Sequence, residues 1–267
     1  MQEKELDCLK RNKKMETKDL NSQMHSLIAL ADEITKVFQK IKSQADSDQK
    51  ENAENGRYEY AYVKFYLAEI SSLLNLSTCL LRHNTFRKYI YFPTRLIMEI
   101  ALQLEHVYSV KNKKGLNGVS RLFFKDIAIS VKSSLVLPGE KGKEKISNQL
   151  NLLNIASKIL RLDFRTDDVS AKSNRDIKSL CDKSHIIIKK FTGNDLYSFY
   201  EILSESSHAN VVNIGASSSV NDKVGAMGIF EIGIELTIRF CELIISESKY
   251  EHLNTDVKNI KRIAGIE

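Results

Sequence analysis

Five polar residues in two apolar segments offer the chemistry of this sequence. Arg95 and Glu99 stand four positions apart in FPTRLIMEIALQL. Tyr200, Ser204 and His208 follow one another at four-residue intervals in LYSFYEILSESSHAN. Residues four apart lie on the same face of a helix, so each set is expected to form one stripe. Imidazole serves as a general base, and a guanidinium stabilises a charged phosphate.

These properties predict two sets of site residues. Arg95 and His208 are the catalytic candidates, the first for a phosphate and the second for proton transfer from a ribose 2′-hydroxyl. Glu99, Tyr200 and Ser204 are the candidates for binding and orientation. The alternative is structural, because buried polar groups are normally satisfied by one another. Clustering in an open, positive cleft favours the site, and a closed network inside a bundle favours the structural interpretation.

The elements that must position these residues are helices. The chain has only two prolines and eleven glycines in 267 residues, and apolar residues recur at three- and four-residue spacing. HIIIKKF resembles a strand, but no second strand is predicted to pair with it. The predicted helices cover about 19–47, 57–82, 92–110, 120–131, 143–160, 171–190, 194–210, 226–247 and 254–263. The sequence therefore predicts an all-α, multi-helix bundle of seven to nine helices.

The domain organisation predicted from the sequence has two parts. Residues 1–55 form an N-terminal amphipathic helix and linker, and residues 56–267 form the main helical bundle. The first helix has a continuous apolar face, which predicts an element for partner binding or dimerisation. A protein partner or a homo-oligomer is expected on this basis.

The net charge of +6 is concentrated in short basic clusters at KNKK (111–114), KGKEK (141–145) and the lysine pair 189–190. Such loops permit contact with nucleic acid. The alternative is that these lysines only solvate the surface, as charge runs usually do.

Several classes of protein are disfavoured by what the sequence lacks. It contains no Gly-rich phosphate loop, no HExxH and no CxxC, and no stretch of eighteen apolar residues free of charges. The first residues have no apolar core typical of a signal peptide. We therefore expect a cytoplasmic protein with free thiols, without a membrane span, a cofactor or a metal site.

The order of the motifs resembles a known group. An Arg-x-x-x-Glu helix (Arg95, Glu99) precedes a Tyr-x-x-x-Ser-x-x-x-His helix (Tyr200, Ser204, His208), a Ser/Gly-rich loop and a terminal apolar helix. This order resembles uncharacterised bacterial helical domains and is distantly similar to the HEPN superfamily of helical nucleases and nucleotide-binding domains. The resemblance implies a HEPN-like core and a bacterial defence or toxin-type setting.

One departure from that superfamily affects the predicted function. The resemblance implies a His five to seven positions after the catalytic Arg, as in HEPN ribonucleases, and none of the eleven arginines here has a His at that spacing. The predicted function is therefore a helical interaction or regulatory protein of a defence or toxin-type system. The alternative is a metal-independent HEPN-like ribonuclease or nucleotide-binding domain that uses Arg95 and His208.

Overall fold

Helices account for nearly all of the residues that the structure describes. A computed structural model describes residues 2–51, 57–134, 151, 154, 176–189, 195–207, 220–246 and 248–266, and these residues include no strand. The α-helices are α1 (Gln2–Glu51), α2 (Arg57–Arg82), α3 (Tyr91–Ser134), α4 (Ile177–Lys183), α5 (Leu196–Ser207), α6 (Val220–Ile245) and α7 (Asn254–Ala264). Two 3-10 helices, η1 (Asn84–Tyr89) and η2 (Ser248–Leu253), complete the set. The predicted all-α fold class is confirmed.

The helix limits agree with the sequence where the signals are local. Helix α2 has the predicted bounds, and α3 begins at Tyr91, which places Pro93 in the first turn, where its missing N–H is not needed. A loop is predicted at 111–118, and the structure has a kink inside this range, at Gly115, while the residues on both sides of the kink are helical. Lysine and asparagine are compatible with a helix, so the break is shorter than the clustered polar residues indicate.

The chain divides into two contact units. Unit 1 comprises residues 1–44, 66–101 and 185–267, and unit 2 comprises residues 45–65 and 102–184. The domain boundary predicted between residues 55 and 56 falls outside the described residues.

Helix α6 supplies much of the core of unit 1. Its residues from Ile232 to Ile238 are all buried, and Phe240 makes an edge contact with Phe38 of α1 at 6.2 Å between ring centroids. Ile34 and Ile41 of α1 are also fully buried. The apolar face of α1 is therefore used within the chain, and partner binding or dimerisation through this helix stays a prediction.

The core of unit 2 is aromatic. Phe124 is buried against Tyr58, Phe123 and Ile127, and the Tyr58 and Phe124 ring centroids lie 5.0 Å apart. A buried carboxylate adjoins this cluster in sequence: Glu59 accepts a hydrogen bond of 2.9 Å from the Lys111 ammonium. The pairing satisfies a charge that would otherwise be costly to bury.

Residues 185–189 of unit 1 are not helical, so the helix predicted over 171–190 is too long. The buried carboxylate of Glu235 accepts the backbone N–H of Lys189 at 2.7 Å, and Arg239 Nε donates to the Ile187 carbonyl at 3.3 Å. Side chains of α6 thus hold the backbone of this segment. Three consecutive β-branched isoleucines disfavour a helix here.

The same face of α6 also holds the C-terminal helix. Glu242 accepts hydrogen bonds from Arg239 at 2.7 Å and from Lys261 of α7 at 2.5 Å. Helix α7 ends at Gly265, whose φ of 64° suits glycine, and the following N–H of Ile266 donates to the Lys261 carbonyl. These contacts explain the polar stripe on an otherwise apolar helix.

We predict opposite effects for alanine at two glycines. Gly115 has φ 63° and ψ −170°, a region nearly exclusive to glycine, so Gly115→Ala should lower the free energy of unfolding by about 1–3 kcal/mol. Gly225 is an exposed, helical position where an added Cβ meets nothing within 4 Å, so Gly225→Ala should raise it by about 1 kcal/mol. Urea unfolding of both variants measures the difference, and equal shifts of the same sign would contradict it.

Acid should selectively weaken the α6–α7 contact. Burial alone raises the pKa of Glu242, but hydrogen bonds from Lys261 and Arg239 outweigh it and leave that pKa below its ordinary value of 4.5. A lowered pKa stabilises the folded state above the ordinary value, and the contribution is lost as pH falls through the folded pKa. The stability difference between wild type and Glu242→Gln should therefore be constant near neutrality and shrink below about pH 4.5.

The control for this pH series is Glu251→Gln, at an exposed carboxylate that pairs with no cation in the described part of the chain. Its stability difference from wild type should stay near zero across the range. If the stability difference between wild type and Glu242→Gln does not change with pH, the charged carboxylate is not stabilised by its partners.

Candidate functional site

The first turns of α3 place Arg95 and Glu99 on one face. The helix starts cleanly because Pro93 suits its first turn, and the buried Thr94 hydroxyl donates to the Ile90 carbonyl at 3.0 Å. The side chains of Arg95 and Glu99 are each 21% exposed. They therefore lie at the edge of the core, where a charge remains in contact with solvent.

Helix α5 supplies the partner from 101 positions away in sequence. Its start is capped by Asp195, whose carboxylate accepts the Ser198 N–H at 2.6 Å. Phe199 and Leu203 are fully buried, which fixes the rotation of the helix. The half-buried Tyr200 ring stacks against Tyr197 with centroids 6.2 Å apart.

Glu99 joins these two helices. Its Oε1 atom accepts a hydrogen bond from Arg95 Nε at 3.1 Å and another from the Tyr200 hydroxyl at 3.0 Å. The Arg95 guanidinium also lies 6.0 Å from the centre of the Tyr200 ring, within reach of a cation–π contact. We call Arg95, Glu99 and Tyr200 the Glu99 cluster.

The electrostatics of the cluster keep the tyrosine protonated. Burial raises the pKa of Tyr200, and the adjacent Glu99 carboxylate raises it further through charge and through its hydrogen bond. A neutral hydroxyl is therefore a donor at physiological pH and not a general base. Glu99, which already accepts two hydrogen bonds on one oxygen, is likewise occupied within the protein.

The structure brings together three of the five predicted site residues. Ser204 is half-buried one turn after Tyr200, and within the described part of the chain it makes no hydrogen bond to the cluster. His208 lies outside the described residues, so its predicted catalytic role stays a prediction. Within the cluster, the terminal nitrogens of Arg95 are the hydrogen-bond donors that donate to no other described residue.

Other polar contacts of unit 1 lie outside the predicted site. The Glu235–Arg239–Glu242 stripe was visible in the sequence, but its partners at 187, 189 and 261 were not, because they are distant along the chain. Cys241 is fully buried, and burial raises the pKa of its thiol far above the ordinary value, so it is not a nucleophile. Among the described residues, no three His, Cys, Asp or Glu side chains are grouped to hold a metal ion.

Two of the predicted basic clusters have intramolecular roles. Lys111 pairs with Glu59, and its ammonium lies 5.8 Å from the Tyr108 ring centre. Lys189 donates from its ammonium to the Ile266 carbonyl at 3.1 Å. The cluster at 141–145 lies outside the described residues. Nucleic-acid contact through these loops stays a prediction.

Compared with family models, with curated proteins and with solved structures, the chain matches none of them. The similarity to bacterial helical domains and to the HEPN superfamily accordingly stays a prediction. No described helix combines the length and the apolar character needed to cross a membrane.

Proposed function

We propose that this chain is a helical interaction or regulatory protein in which the Glu99 cluster joins α3 to α5. One observation supports this proposal above the others: Arg95 and Tyr200 donate to the same carboxylate oxygen of Glu99. Charged groups that satisfy one another within the bundle stabilise it, while a catalytic pair must present its groups to a substrate. The defence or toxin-type setting implied by the resemblance stays part of the proposal.

The second candidate is a metal-independent ribonuclease or nucleotide-binding domain. It is favoured by the terminal nitrogens of Arg95, which are not bonded to described residues and have the geometry that binds a phosphate. In this alternative, His208 takes the proton from the ribose hydroxyl, and Ser204 and Tyr200 orient the substrate. The first candidate requires Arg95 for stability, and the second requires it for binding the phosphate of RNA. The two are therefore separable by experiment.

The test compares thermal stability with RNA cleavage in Arg95→Ala and Tyr200→Phe. If the cluster joins helices, the free energy of unfolding of each variant should fall by about 1 kcal/mol, or roughly 2–4 °C in Tm. The wild-type chain should leave a labelled RNA uncut. Arg262→Ala is the matched control, because Arg262 is an exposed arginine of α7 without a carboxylate partner among the described residues. Its Tm should equal that of the wild type.

The opposite result would support the ribonuclease. RNA cleavage by the wild-type chain that disappears in Arg95→Ala and in His208→Ala, with Tm unchanged in both, would overturn the structural role of the cluster.

A further inference from the structure

The segment RHNTFRKYIYF (82–92) interleaves basic and aromatic residues in a region without acidic ones. No Asp or Glu occurs from residue 70 to residue 94, while three Lys and Arg do, which gives this stretch a net charge of +3. Arg82, Arg87 and Lys88 lie within the segment itself. The segment connects α2 to α3 and is too short to show a periodicity in its sequence.

The 3-10 helix η1 places the rings of this segment in a row along one face. Residues three apart lie above one another in a 3-10 helix, and His83, Phe86 and Tyr89 have this spacing. Ring centroids are 6.4 Å apart for His83 and Phe86 and 6.5 Å apart for Phe86 and Tyr89. The planes are inclined by 70° in the first pair, which is an edge contact, and by 34° in the second, which is a tilted contact.

These rings are exposed although the same segment contributes to the core. Phe86 and Tyr89 are each 51% exposed and Phe92 is 44% exposed, whereas the neighbouring Ile90 is fully buried. We call the surface formed by residues 82–92 the aromatic–basic surface. Several large apolar side chains left in water at one place are typical of a binding surface.

The positive charges around the rings are not neutralised within the described part of the chain. Arg87 donates through Nε to the Leu81 carbonyl at 2.8 Å, and Lys88 lies 5.3 Å from the Tyr89 ring centre. Burial, and then repulsion from Arg87, lowers the pKa of Lys223, which places another cation beside the segment. None of these groups pairs with a described carboxylate, so their charge remains available to an anionic partner.

We infer that the aromatic–basic surface binds single-stranded nucleic acid. Bases stack on the exposed rings of Phe86 and Tyr89, and phosphates are bound by Arg82 and Lys88. Sequence-tolerant binding of this kind combines a cationic path for the backbone with aromatic side chains for the bases. A duplex offers the phosphates but not the base faces, so a single strand is the partner that uses both features.

The observations disfavour other occupants of this surface. A second copy of the chain would bring like charges together, which is unfavourable at close range. An anionic membrane attracts the same cations, but a helix that lies on a membrane presents an apolar face over many turns. Residues 84–89 make up only six residues of 3-10 helix. The inference goes beyond the proposed function and requires no residue of the Glu99 cluster.

The test measures fluorescence anisotropy of a labelled 15-nucleotide oligo(dT) with the full chain. A DNA probe has no 2′-hydroxyl, so binding is measured separately from any ribonuclease activity. We expect a Kd of about 1–100 µM at low salt, weakening as salt rises. The double variant Phe86→Ala/Tyr89→Ala should weaken binding by about tenfold or more, because stacking is lost.

Two controls match the variants in residue type. Phe65→Ala removes a ring that is 65% exposed in unit 2 and should leave binding unchanged. Lys88→Gln should weaken binding and reduce the salt slope by about one phosphate contact, while Lys258→Gln, on an exposed face of α7, should not. A second double variant, Phe86→Leu/Tyr89→Leu, keeps apolar bulk without rings, and it should bind as weakly as the alanine variant.

Three results would overturn the inference. They are oligo(dT) binding that is absent or unaffected by loss of the rings, binding of duplex DNA as tightly as of oligo(dT), and ring-dependent binding of phosphatidylserine vesicles without binding of oligo(dT). Equal Tm values for wild type and ring variants establish that any loss of binding does not result from unfolding.

Discussion

The buried carboxylate of Glu235 is the constraint on which unit 1 depends. It lies on α6, among apolar residues that form the core, and a charge in that position is costly unless its oxygens are satisfied. The hydrogen bond from the Lys189 N–H at 2.7 Å meets this need, and Arg239 lies 3.8 Å away. The non-helical segment 185–189 is thereby held against α6, and through Glu242 the same stripe holds α7. The polar residues of this apolar helix thus bind the segments that pack against it.

The Glu99 cluster follows the same physical rule at the edge of the core. Its carboxylate joins a residue on its own helix to one on α5, and all three groups have partners inside unit 1. An arrangement of this kind stabilises the fold and leaves little for a substrate. Cations that pair with no described carboxylate lie elsewhere, at Arg82, Arg87 and Lys88, beside the exposed rings of the segment 82–92. The nucleic-acid surface that we propose uses those groups and not the polar stripes.

The features predictable from the sequence are those determined by near neighbours. Periodicity gave the bounds of α2 and the buried face of Phe199 and Leu203, and Pro93 marked the start of α3. The i,i+4 pairing of Arg95 with Glu99 was equally accessible. The non-helical backbone at 185–189 was not, because its partner Glu235 is 46 residues away from Lys189. Tyr200 as the second donor to Glu99 and the exposure of Phe86 depend on tertiary packing, which spacing alone does not determine.

The most direct test of this account is a double-mutant cycle between Glu99→Ala and Tyr200→Phe, read as free energies of unfolding in urea. If the Tyr200 hydroxyl ties α5 to the Glu99 carboxylate, the coupling energy should be about 1 kcal/mol, and the double variant should be less destabilised than the two single variants added together. Additive effects, within about 0.3 kcal/mol, would mean that the two groups do not stabilise one another, and the Glu99 cluster would then not be the contact that joins the helices.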